Sequence, residues 1–297
     1  MPEIGHAMSR TLKQKCEATE ALIREVGRAL IAFSGGVDST LLAKVTRDLL
    51  GRDHALAVTA DSPSLAREDL AEACRLAEQL DLEHRVITTR ELEDPAYQAN
   101  TGARCYFCKR ELFQELEELA AARRFPVVLY GAIGEDRPAE RPGQRAASQC
   151  GVRAPLQEAG LTKREVREWA RQLGLPNWNR PQNACLSSRI PHGQVVTEEK
   201  LRQIEAAETL LRARHFRQVR VRHLGRHARI EVGGEEVGRL QDPALIQELA
   251  RGFARIGFET VGVDRRGYRP GGADRSADEV PIAEIAHTIQ LAKDEAV

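Results

Sequence analysis

The sequence predicts an α/β protein, a parallel sheet covered by helices on both faces, with a smaller C-terminal α+β domain after it. Three observations predict this. Apolar runs of strand length alternate with helical patterns through the first half of the chain, the rhythm of repeated strand–helix–strand units. A glycine-tight turn joins the first of those strands directly to a helix. Past residue 190 the order changes to a helix, two alternating segments, a helix and a further strand, a pattern with its own core.

Each element has its own signal. "ALIAF" (29–33) reads as a buried strand, and residues 38–50 as a helix with Leu41, Leu42, Val45, Leu49 and Leu50 on one face. Gly51 stands where a helix C-cap belongs. "ALAVTA" (55–60) is a second strand, "SLAREDLAEACRLAEQL" (64–80) a second helix and "EHRVITT" (83–89) a third strand. A helix over 109–122 leads to the strand "PVVLYGA" (126–132). Thr162 and Glu165, three apart at the start of "LTKREVREWARQLGL", form a capping box. A helix over 197–212 precedes "FRQVRVRHLG" and "HARIEVG", the two strands of a hairpin; "DPALIQELARGFARIG" is a helix and "FETVGVD" a strand. The boundary falls near 180–195, which gives domains over 1–185 and 186–272. The Pro, Gly, Asp and Ser content beyond Arg269 marks 273–297 as a mobile link to a short terminal helix. There are no internal repeats.

The 297 residues carry 44 Lys+Arg against 44 Asp+Glu. That length suits two domains, with a core large enough to need no disulfides. The zero net charge argues against a protein coated in nucleic acid. Residues 1–15 are polar with no apolar signal-peptide core, so secretion is not expected. No run approaches the ~20 apolar residues of a membrane span, and the expectation is a cytoplasmic protein without a membrane partner. Six cysteines are then reduced thiols. Cys16, Cys74 and Cys150 read as small buried or half-buried apolar residues; Cys105, Cys108 and Cys185 do not.

The first glycine turn is "FSGGVDS". A turn at the carboxyl end of a buried strand, opening a helix, presents unpaired N–H groups and the positive end of the helix dipole to an anion. Gly35 and Gly36 allow close backbone approach, while Ser34 and Ser39 add hydroxyl donors. The spacing is not the G-x-x-x-x-G-K-[ST] of the P-loop. Asp38 at the helix start would repel a phosphate without an intervening cation, which points to Mg²⁺. The turn resembles the PP-loop of the ATP pyrophosphatase (adenine nucleotide α-hydrolase-like) superfamily. That resemblance implies that the loop holds the β,γ-pyrophosphate of ATP and that an acceptor oxygen becomes an adenylate.

The acceptor is read elsewhere. "RCYFCK" places Cys105 and Cys108 in C-x-x-C spacing just ahead of a helix, and "ACLSSRIPHG" follows Cys185 directly with Ser187, Ser188 and Arg189. Three cysteines with no fourth suit a [4Fe–4S] cluster with one open iron, and equally suit one nucleophilic thiol with two bystanders. A thiolate would need a lowered pKa, for which Arg189 is placed. From Arg212 to Arg229 seven arginines, at 212, 214, 217, 220, 222, 226 and 229, precede Glu231 without an acid between. They read either as a solvated or RNA-binding face or as an anion site, with "VRVR" putting Arg220 and Arg222 on one strand face.

Together "AFSGGVDS", "VTADSPSLAREDL", "RCYFCK", "RPGQRAASQCGVRAPLQEAGLTKREVR", "ACLSSRIPHG", "VRVRHLGRHARIEV" and "DRRGYRPG" resemble the LarE-type ATP-dependent sulfur transferases over roughly residues 15–272. The resemblance implies that ATP adenylates a carboxylate of pyridinium-3,5-biscarboxylic acid mononucleotide. The carboxylate is then converted to a thiocarboxylate for the nickel-pincer nucleotide of lactate racemase. It implies ATP contacts from Ser34, Gly35, Gly36, Asp38, Ser39, Ala60 and Gly131, and Mg²⁺ at Asp38 and Asp136. It places the substrate phosphate on Ser188, Arg189, Arg220 and Arg222, a cation at Glu231, and a homo-oligomer, in some members a hexamer. Sulfur comes either from Cys185 itself, leaving dehydroalanine, or from sulfide on a cluster held by Cys105, Cys108 and Cys185. The chain departs from the superfamily pattern in "GAIGED" (131–136), where Ala132 and Ile133 replace a Thr-Asn pair, and at Glu140, where a tyrosine is expected. The rivals are a tRNA thiolase, which would want an RNA-binding module, an ammonia-using amide synthetase, which would have no use for Cys185, and a non-catalytic nucleotide sensor.

Overall fold

The computed structural model describes residues 10–136, 142–181, 184–269, 272–274 and 279–284. In chain order its elements are α1 (Arg10–Val26), β1 (Ala29–Ala32), α2 (Val37–Leu50), β2 (Ala55–Asp61), α3 (Arg67–Gln79), β3 (Glu83–Thr88), α4 (Pro95–Gln98), α5 (Arg104–Arg123), β4 (Val128–Tyr130), α6 (Pro142–Gln149), α7 (Pro155–Glu158), α8 (Lys163–Gln172), α9 (Glu198–Arg212), β5 (Val219–Leu224), β6 (His227–Val232), α10 (Pro243–Ile256), β7 (Thr260–Asp264) and β8 (Glu279–Glu284). The chain divides into two compact units: Met1–Asp94 with Ala103–Asn183, and Pro95–Gly102 with Ala184–Val297.

The first unit is the expected parallel sheet, in the order β3-β2-β1-β4. β1 is paired on both sides and covered on both faces, which is why its four residues are all apolar. Ile31 and Leu129 pack with Leu41, Leu42 and Val166 on one face, and Leu30 and Val128 pack with Phe113 and Leu116 of α5 on the other. From β1 the chain moves outward through β2 and β3, then returns to the far side of β1 for β4. That reversal makes β1 and β4 a topological switch point, whose carboxyl ends flank a crevice suited to a ligand. The capping box on α8 forms as the sequence predicts: Thr162 and Glu165 exchange side-chain and backbone bonds.

The second unit holds a mixed sheet, β5-β6-β7-β8, with β5/β6 and β7/β8 antiparallel and β6/β7 parallel. Its core gathers Val219, Val221, Ile230, Val261 and Val263 with Leu211 of α9 and Leu249 and Phe253 of α10. The segment Pro95–Gly102 belongs here, although no apolar periodicity announces it. Asn100 Nδ2 donates to the carbonyls of Ile190, Pro191 and Gln194 at 3.3, 2.7 and 3.0 Å, and the Tyr97 hydroxyl lies 2.6 Å from Ser187 Oγ.

Two expectations change. Cys105 and Cys108 do not precede a helix; they lie within the start of α5, which begins at Arg104. The stretch read as a linker beyond Arg269 contains β8, whose ladder with β7 supplies the order that composition did not signal. The expected terminal helix and Glu140 lie outside the described residues.

Candidate active site

The turn after β1 sits at the switch point. Gly35 has φ +68, and a Cβ there would meet Ala73 of α3 at 3.1–3.2 Å, so only glycine fits both the backbone and the packing. Gly36 is the N-cap of α2 and offers no capping side chain, leaving the first turn of the helix to an outside acceptor. The hydroxyls of Ser34 and Ser39 lie 3.1 Å apart, Ser39 Oγ donates to the Gly36 carbonyl at 3.1 Å, and the Ser34 N–H donates to Ser39 Oγ at 3.2 Å. At the end of β4, Gly131 lies against the same helix start: a Cβ there would fall 2.8 Å from the Ser39 nitrogen. Ala60, half-buried, lies one residue before the end of β2, on the other side of β1. Behind it Ser64 and Thr89 donate to the buried Glu91 at 2.6 and 2.9 Å, fixing the loop that follows β2.

Asp38 is held by a residue that the sequence reading did not single out. Lys163, the first residue of α8, donates to both Asp38 carboxylate oxygens at 2.8 and 2.6 Å. Burial pushes the Asp38 carboxyl above its ordinary value, Lys163 opposes that shift and Asp136 adds to it. The Lys163 ammonium is thus the counter-charge that Asp38 faces from within the chain. The signal was present: a lysine at N1 of a helix, where the macrodipole disfavours positive charge, wants a specific anion. Asp136 turns its Oδ2 back to the Ile133 N–H at 3.2 Å, a backbone contact that needs neither of the side chains missing from Ala132 and Ile133.

In the second unit the predicted residues come together around one acid. Cys185, exposed, precedes a turn of 3₁₀ helix over Leu186–Arg189. Arg189 is almost wholly buried and paired with the fully buried Glu208 at 2.8 and 3.0 Å. Its remaining nitrogen donates to the carbonyls of Ala184 and Cys185 and to Ser188 Oγ. Arg189 thus grips the backbone of the Cys185 turn, not the thiol for which it was invoked. Glu208 also accepts from Arg212 at 2.8 Å and from the Val221 N–H at 3.1 Å. Burial raises its carboxyl, but the surrounding guanidiniums outweigh that and hold it below its ordinary value. The sequence carried a sign of it: Glu208 occupies the apolar stripe of α9, between Leu201, Ile204 and Leu211.

The arginine strip is not a solvated face. Arg220, Arg222 and Arg229 are buried. Arg222 donates through Nε and Nη2 to Glu231 Oε2 at 3.0 and 2.7 Å, and through Nη1 to the Ser188 carbonyl at 3.1 Å. Arg229 reaches Glu231 Oε1 at 3.3 Å. Both Glu231 oxygens therefore face guanidiniums. Arg220 stands over the Tyr268 ring at 5.2 Å and donates to the Val219 carbonyl; burial, reinforced by Arg189, lowers its pKa to about 10. Only Arg217 and Arg226 of the strip are exposed.

Cys105 and Cys108, three apart on α5, share a helix face. Among the described residues no group of three or more His, Cys, Asp or Glu side chains is placed to hold a metal. Cys16 is buried, which pushes its thiol up to about 12. Cys150 is half-buried, whereas Cys74 is exposed rather than covered as its helix position suggested.

Residues 8–120 match the family model described as NAD synthase. An uncharacterised protein of Synechocystis sp. is 43% identical over 89% of this chain and 98% of its own length. The pyridinium-3,5-bisthiocarboxylic acid mononucleotide synthase of Lactiplantibacillus plantarum is 36% identical over 93% of this chain and 99% of its own length. A tRNA-specific 2-thiouridylase of Parvibaculum lavamentivorans is 28% identical over 59% of this chain and 53% of its own. No helix among the described residues is long and apolar enough to cross a membrane.

Proposed function

The chain belongs to the LarE-type ATP-using sulfur transferases of the PP-loop superfamily, and we propose that it converts the carboxylates of pyridinium-3,5-biscarboxylic acid mononucleotide to thiocarboxylates. The observation that carries this reading is the network of the second unit, which ties the backbone of the Cys185 turn to β5 twice, through Arg189 and Glu208 to the Val221 N–H and through the Ser188 carbonyl to Arg222. It joins a thiol to an anion site, a pairing that an ammonia-using synthetase does not need. The buried arginines also leave little of the strip for an RNA backbone.

In the first unit the loop N–H groups, the Ser34 and Ser39 hydroxyls and the α2 dipole receive the β,γ-pyrophosphate. Asp38 and Asp136 are oxygen donors that would hold Mg²⁺, which when bound would offset the charge building on the departing pyrophosphate. The Lys163 ammonium, paired with Asp38 at the start of α2, would add positive charge beside the leaving group. Ala60 and Gly131 shape the rest of the ATP site. In the second unit Arg220, Arg222 and Ser188 hold the mononucleotide phosphate, and Arg189 positions the Cys185 turn. A cation at Glu231 would have to displace Arg222 and Arg229.

Both forms of the proposal need Cys185, as sulfur donor in one and as cluster ligand in the other. In one, the thiolate attacks the acyl adenylate, AMP leaves, and loss of the Cys185 Cα proton breaks its Cβ–S bond to give thiocarboxylate and dehydroalanine. In the other, Cys105, Cys108 and Cys185 would be the ligands of a [4Fe–4S] cluster, which would supply the sulfide. Anaerobic incubation with ATP, Mg²⁺ and the biscarboxylic mononucleotide tests the reading. The expected result is AMP, pyrophosphate and an oxygen-to-sulfur mass change in the acceptor, lost in Cys185→Ala. Unchanged turnover in Cys105→Ala/Cys108→Ala excludes the cluster form. The reading includes a cytoplasmic homo-oligomer, and light scattering on the purified protein tests the oligomer.

A further inference from the structure

We infer that Asn177 and Arg180 are positioning residues for the phosphate loop, holding the Gly35 carbonyl so that the Gly36 N–H faces the anion. The inference rests on the ATP-binding reading above and deepens it. Asn177 follows α8 and is 4% exposed. Its Nδ2 donates to the Gly35 carbonyl at 2.9 Å and to Thr40 Oγ1, on α2, also at 2.9 Å. Arg180 Nη1 approaches the same carbonyl at 3.4 Å while its Nη2 pairs with Asp69 of α3 at 2.7 Å. The carbonyl is thus held from behind by two donors, one anchored on α2 and the other on α3.

A trans peptide is planar, so its C=O and N–H point in opposite directions, and no cis bond occurs among the described residues. Fixing the Gly35 carbonyl therefore fixes the Gly36 N–H on the other side, where it donates to Ser34 Oγ at 3.4 Å, on the side of the loop's other donors. Without that hold, a peptide between two glycines has little steric reason to keep one orientation. A flipped peptide would turn a carbonyl, not a donor, toward the pyrophosphate. The other end of the amide shows what Asn177 is there for. Its Oδ1 is buried with no partner among the described residues, so the side chain acts through its nitrogen alone, and a residue serving only to fill space would not need that unmatched acceptor.

The test is calorimetric titration of the full-length protein with Mg²⁺–pyrophosphate and, separately, with AMP, for wild type, Asn177→Ala and Asn177→Leu. The leucine variant fills the same volume without donors and keeps the test usable if alanine unfolds the chain; circular dichroism checks both. The expected result is pyrophosphate binding weakened about ten-fold with AMP binding changed less than about two-fold. A merely structural role would weaken both ligands together, and that outcome, or unchanged pyrophosphate affinity in a folded variant, overturns the inference. Failure of the wild type to bind pyrophosphate overturns the ATP-binding reading itself.

Discussion

Replacing Glu208 with glutamine removes one negative charge from a site that faces three guanidiniums. Glu208 is fully buried, bonded twice to Arg189, once to Arg212 and once to the Val221 N–H, and Arg220 adds to the field. Glutamine keeps the shape and one acceptor, so the loss is chiefly electrostatic. Arg189, 1% exposed, would be left as a buried charge without its counter-ion, a situation that costs about 3–5 kcal/mol. The Arg189 grip on the Cys185 carbonyl would loosen with it. Because the folded-state pKa of Glu208 is depressed, its contribution is present above the ordinary carboxylate range and disappears as pH falls through the depressed value. Urea unfolding of wild type and Glu208→Gln at neutral pH and at progressively lower pH measures this. The difference should be largest near neutrality and shrink in acid. A neutral-pH loss below about 1 kcal/mol would show that the pair behaves as a surface ion pair and refute the reasoning.

Three further outcomes follow from the geometry. Lys163→Met should lower pyrophosphate release about a hundred-fold, the scale of one lost electrostatic contact to a leaving group, while stability changes by less than about 1 kcal/mol because the Asp38 pair is partly exposed; steady-state kinetics and a melt separate the two. Gly131→Ala should cost roughly 1–3 kcal/mol, since its Cβ would press on the Ser39 and Asp38 backbone rather than on a flexible side chain, and should weaken ATP binding measured by titration. His223 is buried against Gln203 and Phe258, near Lys200, and burial lowers its pKa from 6.5 to about 4. The unfolded chain therefore takes up the proton first as pH falls, so stability is full above 6.5 and drops by up to about 3 kcal/mol on the way to pH 4; His223→Gln should flatten that limb of the stability profile.

The layered architecture was legible because its signals are local. Three strands of the first sheet (β1, β2 and β4) announce themselves by apolar runs, α8 by its capping box, and the loop after β1 by glycines and serines in sequence. What escaped the sequence depends on partners distant along the chain. Lys163 is 125 residues from Asp38 and Asn177 is 142 from Gly35. Neither belongs to the loop they support. Glu208 could have been noticed as a charge on an apolar stripe, but its three arginines could not. Pro95–Gly102 carries no hydrophobic pattern because hydrogen bonds from Asn100 and Tyr97 hold it in the second unit. The arginine strip left two readings open because a run without acids looks solvated, and the acids that bury it, Glu208 and Glu231, come from α9 and β6.

The most direct test of sulfur transfer is mass spectrometry of the acceptor and of the protein after one anaerobic turnover with ATP and Mg²⁺, alongside iron and acid-labile sulfide assays on the same sample. The account predicts one oxygen-to-sulfur exchange in the mononucleotide for each AMP formed. The sulfur is then matched either by loss of sulfur from Cys185 or by cluster sulfide that disappears in Cys108→Ala. AMP and pyrophosphate formed with no sulfur entering the mononucleotide would contradict it, leaving an adenylating enzyme that acts on a different nucleophile.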